Sequence, residues 1–193
     1  YAAHGVRWIM CLDSTFTVPR KRLRAVCEGL IDAGAPVRWI CYARGDDLAD
    51  AELCHLMARA GCHQVQIGVE SGNATILANM DKGGSLDESY RGIANCRAAG
   101  IASFVTVILG FPGETPRTIR DSYDFVRDAA PDFAYPTPFT TRVEFMPILQ
   151  PEHRARFGLR TAGGSRSGAP YWRHDSMSCE EVGYWQHWFI RRM

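Results

Sequence analysis

Apolar residues along this chain switch repeatedly between a strand period and a helix period. Val6 to Leu12, Val37 to Ala43, Gln64 to Val69 and Ser103 to Leu109 are short apolar runs closed by glycine and polar clusters, and they read as strands. Helical spacing follows each one. Leu23, Val26, Cys27, Leu30 and Ile31 recur at i, i+3, i+4, i+7 and i+8 after Pro19, and Gly34 ends that pattern. Leu53, Leu56, Met57 and Ala60 form the stripe of a second helix, stopped by Gly61. After the third strand, a helical turn around Ile76 and Leu77 precedes Ser85-Leu86-Asp87-Glu88, a capping box that opens a helix running to Gly100. Thr115 and Pro116 open another, through Ile119, Tyr123 and Val126, with Pro131 closing it.

Beyond this point the pattern weakens. A further strand is predicted around Arg142 to Met146, and Thr161 to Pro170 is a Gly/Ser-rich connection. Ser178-Cys179-Glu180-Glu181 is a second capping box, ahead of a terminal amphipathic helix with Trp185, Trp188 and Phe189. Strands that alternate with helices pair in parallel through right-handed crossovers, so the class is α/β.

The strand ends carry the chemistry. Ile67-Gly68-Val69-Glu70-Ser71-Gly72 and Ile108-Leu109-Gly110-Phe111-Pro112-Gly113-Glu114-Thr115 are apolar strands that break into glycine, carboxylate and hydroxyl. A strand buried on both faces does not hold an ionised carboxylate cheaply, which places these groups at the strand ends where α/β folds build their sites. Asp13-Ser14-Thr15 and Arg44-Gly45-Asp46 stand after the first two strands. Carboxylates, an arginine, hydroxyls and glycines together suit a ligand with an ammonium, a carboxylate and a ribose. Asp13, Ser71 and Thr115 also suit helix caps or turns, and that reading stays open.

Composition narrows the class. With 193 residues and 46% hydrophobic content, the chain can bury one sizeable core. A net charge of +1 gives no footprint for nucleic acid, and Arg20-Lys21-Arg22 with Arg24 lies on the solvated side of a helix. No apolar run approaches the ~20 residues of a membrane span, and nothing reads as a signal peptide, so a cytoplasmic location without membrane contact is expected. The seven cysteines are Cys11, Cys27, Cys41, Cys54, Cys62, Cys96 and Cys179, no two within four residues of each other. They form no C-x-x-C clip or C-x-x-x-C-x-x-C cradle and read as buried free thiols.

The ordered motifs Leu12-Asp13-Ser14-Thr15-Phe16-Thr17, Trp39 to Arg44, Gly61-Cys62, Ile67 to Gly72, Met80-Asp81-Lys82-Gly83, Gly100-Ile101 and Gly110 to Thr115 resemble the radical S-adenosylmethionine core domain. The resemblance runs over about residues 6 to 147. It is strongest to the branch with cobalamin-binding enzymes, methylthiotransferases and anaerobic coproporphyrinogen dehydrogenase. It implies a partial TIM-type (β/α) barrel over residues 1–147, truncated at its N-terminal end, with a C-terminal extension over 148–193. It also implies binding roles. Ile108, Gly110 and Glu114 fall in the strand motif that lies against adenine, and Glu70 and Ser71 fall where the ribose or the amino-acid part is held. Lys82 and Arg44 face the cofactor, and Asp13 matches the strand that handles the methionine amine.

The same resemblance implies S-adenosylmethionine and a 4Fe-4S cluster as cofactors, with cobalamin as a further candidate. The activity it implies is formation of a 5′-deoxyadenosyl radical that abstracts hydrogen from a small-molecule substrate, leading to methylation or rearrangement, with a flavodoxin or ferredoxin as electron donor. The cluster ligands are absent from these residues, so the chain is expected to be the later portion of a catalytic domain. No catalytic or metal-binding residue is assigned. A methylthiotransferase, a porphyrinogen-oxidising enzyme and a cluster-free binding module are the alternatives. In the tail, Tyr171 to Ser178 places His174 among aromatics, suited either to lining a substrate or cobalamin pocket or to capping the fold.

Overall fold

The computed structural model describes residues 2–142, 145–162 and 171–193. Five strands form one sheet in the order β1-β2-β3-β4-β5: Trp8–Met10, Arg38–Ala43, Cys62–Glu70, Ala102–Leu109 and Phe133–Pro138. The strands run parallel, with Ile9 beside Trp39 and Tyr42 beside Gln66 in the first two pairings. An order that never reverses lacks the switch point of a doubly wound sheet and matches consecutive strands of a (β/α) barrel.

Helices α1 (Arg20–Asp32), α2 (Gly45–Leu48), α3 (Ala51–Arg59), α4 (Ala74–Asn79), α5 (Leu86–Ala99) and α6 (Pro116–Ala129) fill the connections. Their ends follow local chemistry. Asp50 accepts from the Leu53 N–H at 3.1 Å, Asn73 accepts from the Thr75 and Ile76 N–H groups, and Ser85 and Glu88 close the anticipated capping box. Then come α7 (Pro151–Phe157), an antiparallel sheet of β6 (Arg160–Ala162), β7 (Tyr171–His174) and β8 (Met177–Ser178), and α8 (Cys179–Ile190), opened by the Ser178–Glu181 box.

The chain divides into two compact units. The first comprises residues 1–69, 84–106 and 128–134; the second comprises 70–83, 107–127 and 135–193. The first is packed around Leu23, Cys41, Leu48, Leu53, Met57, Val65 and Ile93, all fully buried. The second is packed around Leu109, Ile119, Phe125, Trp172, Val182 and Phe189. Cys27, Cys41, Cys54, Cys62 and Cys96 are buried free thiols, whereas Cys11 and Cys179 are free but only partly buried. Among the described residues no helix is long and apolar enough to cross a membrane.

Three expectations need correction. Arg142, Phe145 and Met146 are not in a strand, while Val143 and Glu144 lie outside the described residues; the fifth strand is β5. Pro136 and Pro138 disguise β5, because a residue without an N–H is tolerated only at an edge, and β5 is an edge strand. Of the Gly/Ser-rich connection, 163–170 lie outside the described residues, and Thr161 and Ala162 belong to β6. Val26, placed on the apolar stripe of the first helix, is 37% exposed, and Leu23 and Cys27 do the packing.

Candidate functional site

Asp13, Arg44 and Glu114 follow the C-terminal ends of β1, β2 and β4, and Glu70 is the last residue of β3. Asp13 and Arg44 belong to the first unit, and Glu70, Ser71, Lys82, Ile108, Gly110 and Glu114 to the second.

In the first unit, Asp13 is exposed and pairs with Arg22 Nη1 at 3.1 Å. Arg44 forks onto its own neighbour, Nε to Asp46 Oδ1 at 2.9 Å and Nη2 to Oδ2 at 2.6 Å. That guanidinium holds the Asp46 carboxyl below its ordinary range. A ligand carboxylate would have to displace Asp46 to use the fork.

The second unit gathers the remaining six. Burial along β3 alternates, with Val65, Ile67 and Val69 covered and Gln66, Gly68 and Glu70 only partly so. Glu70 ends the strand at φ 68, a left-handed conformation that costs a residue with a Cβ on the order of 1 kcal/mol. The turn re-aims its carboxylate, and Lys82 Nζ meets Oε1 at 3.2 Å. With side chains 23% and 34% exposed, the pair is held in place yet open to a ligand.

Ser71 is fully buried, and its hydroxyl is engaged internally. It accepts from Asn73 N–H at 3.1 Å and lies 3.2 Å from Ser122 Oγ, which also accepts from Gly72 N–H at 2.9 Å. A Cβ on Gly72 would stand 2.6 Å from the Asp121 carbonyl oxygen, so glycine lets α6 approach the turn. Asn73 donates to Asp121 Oδ2 at 2.7 Å. Ser71 therefore shapes the backbone after Glu70.

Ile108 lies on the half-covered side of β4 with Phe104 and Thr106. Gly110 follows at φ 82, and its N–H donates to Glu114 Oε2. Glu114 is fully buried, with Oε1 lacking a partner among the described residues. Burial pushes its carboxyl up to about 8, against the opposing pull of the Gly110 and Phe111 N–H groups. Its position is that of a loop brace under Gly110. Thr115 caps α6 reciprocally with Thr118, at 2.9 and 3.3 Å.

Sequence reasoning missed Ser122 and Asp121, whose only signal was a polar pair inside an otherwise regular helix. It left two uses open for the tail; there Trp172 and His174 are each 2% exposed and packed inside the second unit.

The partly exposed Glu70–Lys82 pair fits the polar parts of S-adenosylmethionine, since a carboxylate accepts from an ammonium or ribose hydroxyls and an ammonium donates to a carboxylate. A 4Fe-4S cluster does not fit the cysteines present. Five are buried in apolar packing, and among the described residues no group of three or more His, Cys, Asp or Glu could hold a metal ion.

Comparison with known proteins agrees with the fold. The radical SAM superfamily model matches residues 2–126. An anaerobic magnesium-protoporphyrin IX monomethyl ester cyclase from Rubrivivax gelatinosus is 30% identical over 132 residues, covering 68% of this chain and 24% of that protein. An uncharacterized methyltransferase of Pyrococcus horikoshii is 27% identical over 131 residues, covering 68% and 28%. The fold is shared with the radical S-adenosylmethionine methyltransferase TsrM of Kitasatospora setae, solved with tryptophan and an S-adenosylmethionine analogue. Its TM-score is 0.75 at 20% identity, over 85% of this chain and 34% of that one. The chain thus spans about a quarter of the length of the first two relatives. The parallel sheet is a partial (β/α) barrel, and the chain belongs to the radical SAM superfamily.

Proposed function

We propose that this chain is the S-adenosylmethionine-binding part of a radical enzyme, with residues 1–147 supplying the partial barrel and 148–193 an extension. The observation that carries the reading is the partly exposed Glu70–Lys82 pair at the strained end of β3. Glu70 accepts from the methionine ammonium or the ribose hydroxyls, and Lys82 orients Glu70 while offering a donor to the methionine carboxylate. Ile108, on the half-covered side of β4, gives the adenine an apolar wall that the buried Gly110 turn holds in place, and Glu114 and Ser71 keep the two turns in shape. Within the first unit, Asp13 and Arg44 are proposed to bind the cofactor's polar groups, Arg44 by exchanging Asp46 for a carboxylate.

Cluster ligands belong to sequence outside these 193 residues, since no C-x-x-x-C-x-x-C stands within them. When bound, S-adenosylmethionine would supply radical chemistry for hydrogen abstraction from a small molecule, with Glu70 and Lys82 holding its polar groups. Methylation is the favoured outcome, because relatives include a methyltransferase from Pyrococcus horikoshii and a bacteriochlorophyllide methyltransferase from Chlorobaculum tepidum. Support for cobalamin comes from TsrM, solved with cobalamin and a [4Fe-4S] cluster, and from OxsB, solved with aqua-cobalamin. No residue here is assigned to it. A flavodoxin or ferredoxin is the proposed electron donor.

The test uses the full-length protein, reconstituted anaerobically and reduced with S-adenosylmethionine present. Release of 5′-deoxyadenosine is expected; an intact cluster with no such product would contradict the reading.

A further inference from the structure

Both backbone polar groups of Gly110 are occupied. Its N–H donates to Glu114, and its carbonyl oxygen lies 3.3 Å from His174 Nε2 on β7. One residue earlier, the Leu109 carbonyl accepts from Phe139 N–H at 2.7 Å. The Phe139 carbonyl in turn accepts from Trp172 Nε1 at 3.0 Å. Trp172 and His174 occupy alternate positions of β7, with rings stacked at 5.6 Å and 4°. A Cβ on Gly110 would meet Trp172 Cη2 at 2.7 Å and Val182 Cγ2 at 2.2 Å, so the tail closes directly over this glycine.

The hydrogen bonds fix the state of the imidazole. A carbonyl oxygen only accepts, so Nε2 carries the hydrogen. At the other ring nitrogen, Ser176 presents its N–H at 3.4 Å and its hydroxyl at 3.1 Å. A backbone N–H only donates, so Nδ1 is an acceptor and His174 is the neutral Nε2–H tautomer. Burial, which pushes the His174 pKa below its ordinary 6.5, acts in the same direction.

We propose that His174 is a positioning residue for the cofactor: by holding the Gly110 carbonyl it sets the path of the β4 end, so that the β7–β8 hairpin governs S-adenosylmethionine binding without touching it. This rests on the binding role given above to the Gly110 turn. Neither the hydrophobic effect nor helix capping supplies that constraint. Stacking Trp172 over the glycine fills space, whereas the imidazole donor holds the carbonyl side of the peptide plane whose Phe111 N–H faces Glu114. At 2% exposure water cannot replace it.

Two variants of the full-length protein test the inference. His174→Gln keeps an N–H donor near the Nε2 position, and His174→Leu keeps bulk without a donor. In the protein without cofactor, ¹⁵N chemical shifts should report the Nε2–H tautomer. In His174→Leu, amide hydrogen exchange at Gly110 and Glu114 should quicken by about tenfold or more. S-adenosylmethionine affinity should fall roughly tenfold in His174→Leu and return to within about threefold of the parent in His174→Gln. Equal losses in the two variants, an Nδ1–H tautomer, or unchanged exchange in His174→Leu would each overturn the inference. Should His174→Leu fail to fold, the tautomer and the rescue by glutamine still decide it. Wild-type protein that binds the cofactor as tightly as His174→Leu overturns the inference alone. Wild-type protein that shows the tautomer and exchange pattern yet binds no cofactor overturns the functional reading beneath it.

Discussion

Lys82 Nζ lies 3.2 Å from Glu70 Oε1, tying the turn after α4 to the last residue of β3. Partly exposed pairs of this kind contribute under about 1 kcal/mol to stability, so the pair matters for where it aims a carboxylate. Lys82→Met should leave the melting temperature within about 2 °C of the parent. The same variant should weaken S-adenosylmethionine binding several-fold. A thermal melt beside an equilibrium titration checks both, and unchanged binding would remove Lys82 from the site.

Gly110 is constrained twice, by φ 82 and by Val182 and Trp172 closing over it. Gly110→Ala forces a strained backbone and displaces buried side chains. A loss of about 3 kcal/mol is expected in urea denaturation. Gly29→Ala, where an added Cβ meets nothing within 4 Å, is the control and should hold or raise stability. Equal stability of the two variants would show that the tail does not press on Gly110.

Glu114 gives stability a pH dependence of predictable sign. Its folded pKa of about 8 stands above the ordinary 4.5, so between these values the folded chain holds a proton that the unfolded chain has released. Its contribution is full below about 4.5 and is lost as pH rises through about 8. Glu114→Gln keeps an oxygen for the Gly110 N–H but cannot ionise. Relative to the parent it should gain on the order of 4 kcal/mol between about pH 5 and about pH 8.5. Parallel stability curves for parent and variant would contradict an uncharged Glu114.

Much of the fold was legible because its signals are local. Ser85 with Glu88, and Ser178 with Glu181, announce helix starts within four residues, and both boxes form. Gly100 ends α5 in the left-handed conformation its residue type favours. α2 went unseen because four residues are too few to show a period, and β5 because its prolines mimic a terminator. The chemistry was legible only in part. Glu70 and Glu114 look alike in sequence, each a carboxylate shortly after a strand. Whether one turns outward to a lysine or inward to its own backbone depends on the φ of Glu70 and on packing from residues 139, 172 and 182, which lie distant in the chain.

The central claim is that Glu70 holds the cofactor, and a binding titration on the full-length, reconstituted protein tests it most directly. Glu70→Gln preserves shape while removing a charge-assisted acceptor worth about 1.5–3 kcal/mol. S-adenosylmethionine affinity should therefore fall roughly ten- to a hundredfold, with cluster and fold retained. Glu28→Gln, on the exposed side of α1, should bind as the parent does. Equal affinity of Glu70→Gln and Glu28→Gln would show that Glu70 only closes a turn, and would contradict the account.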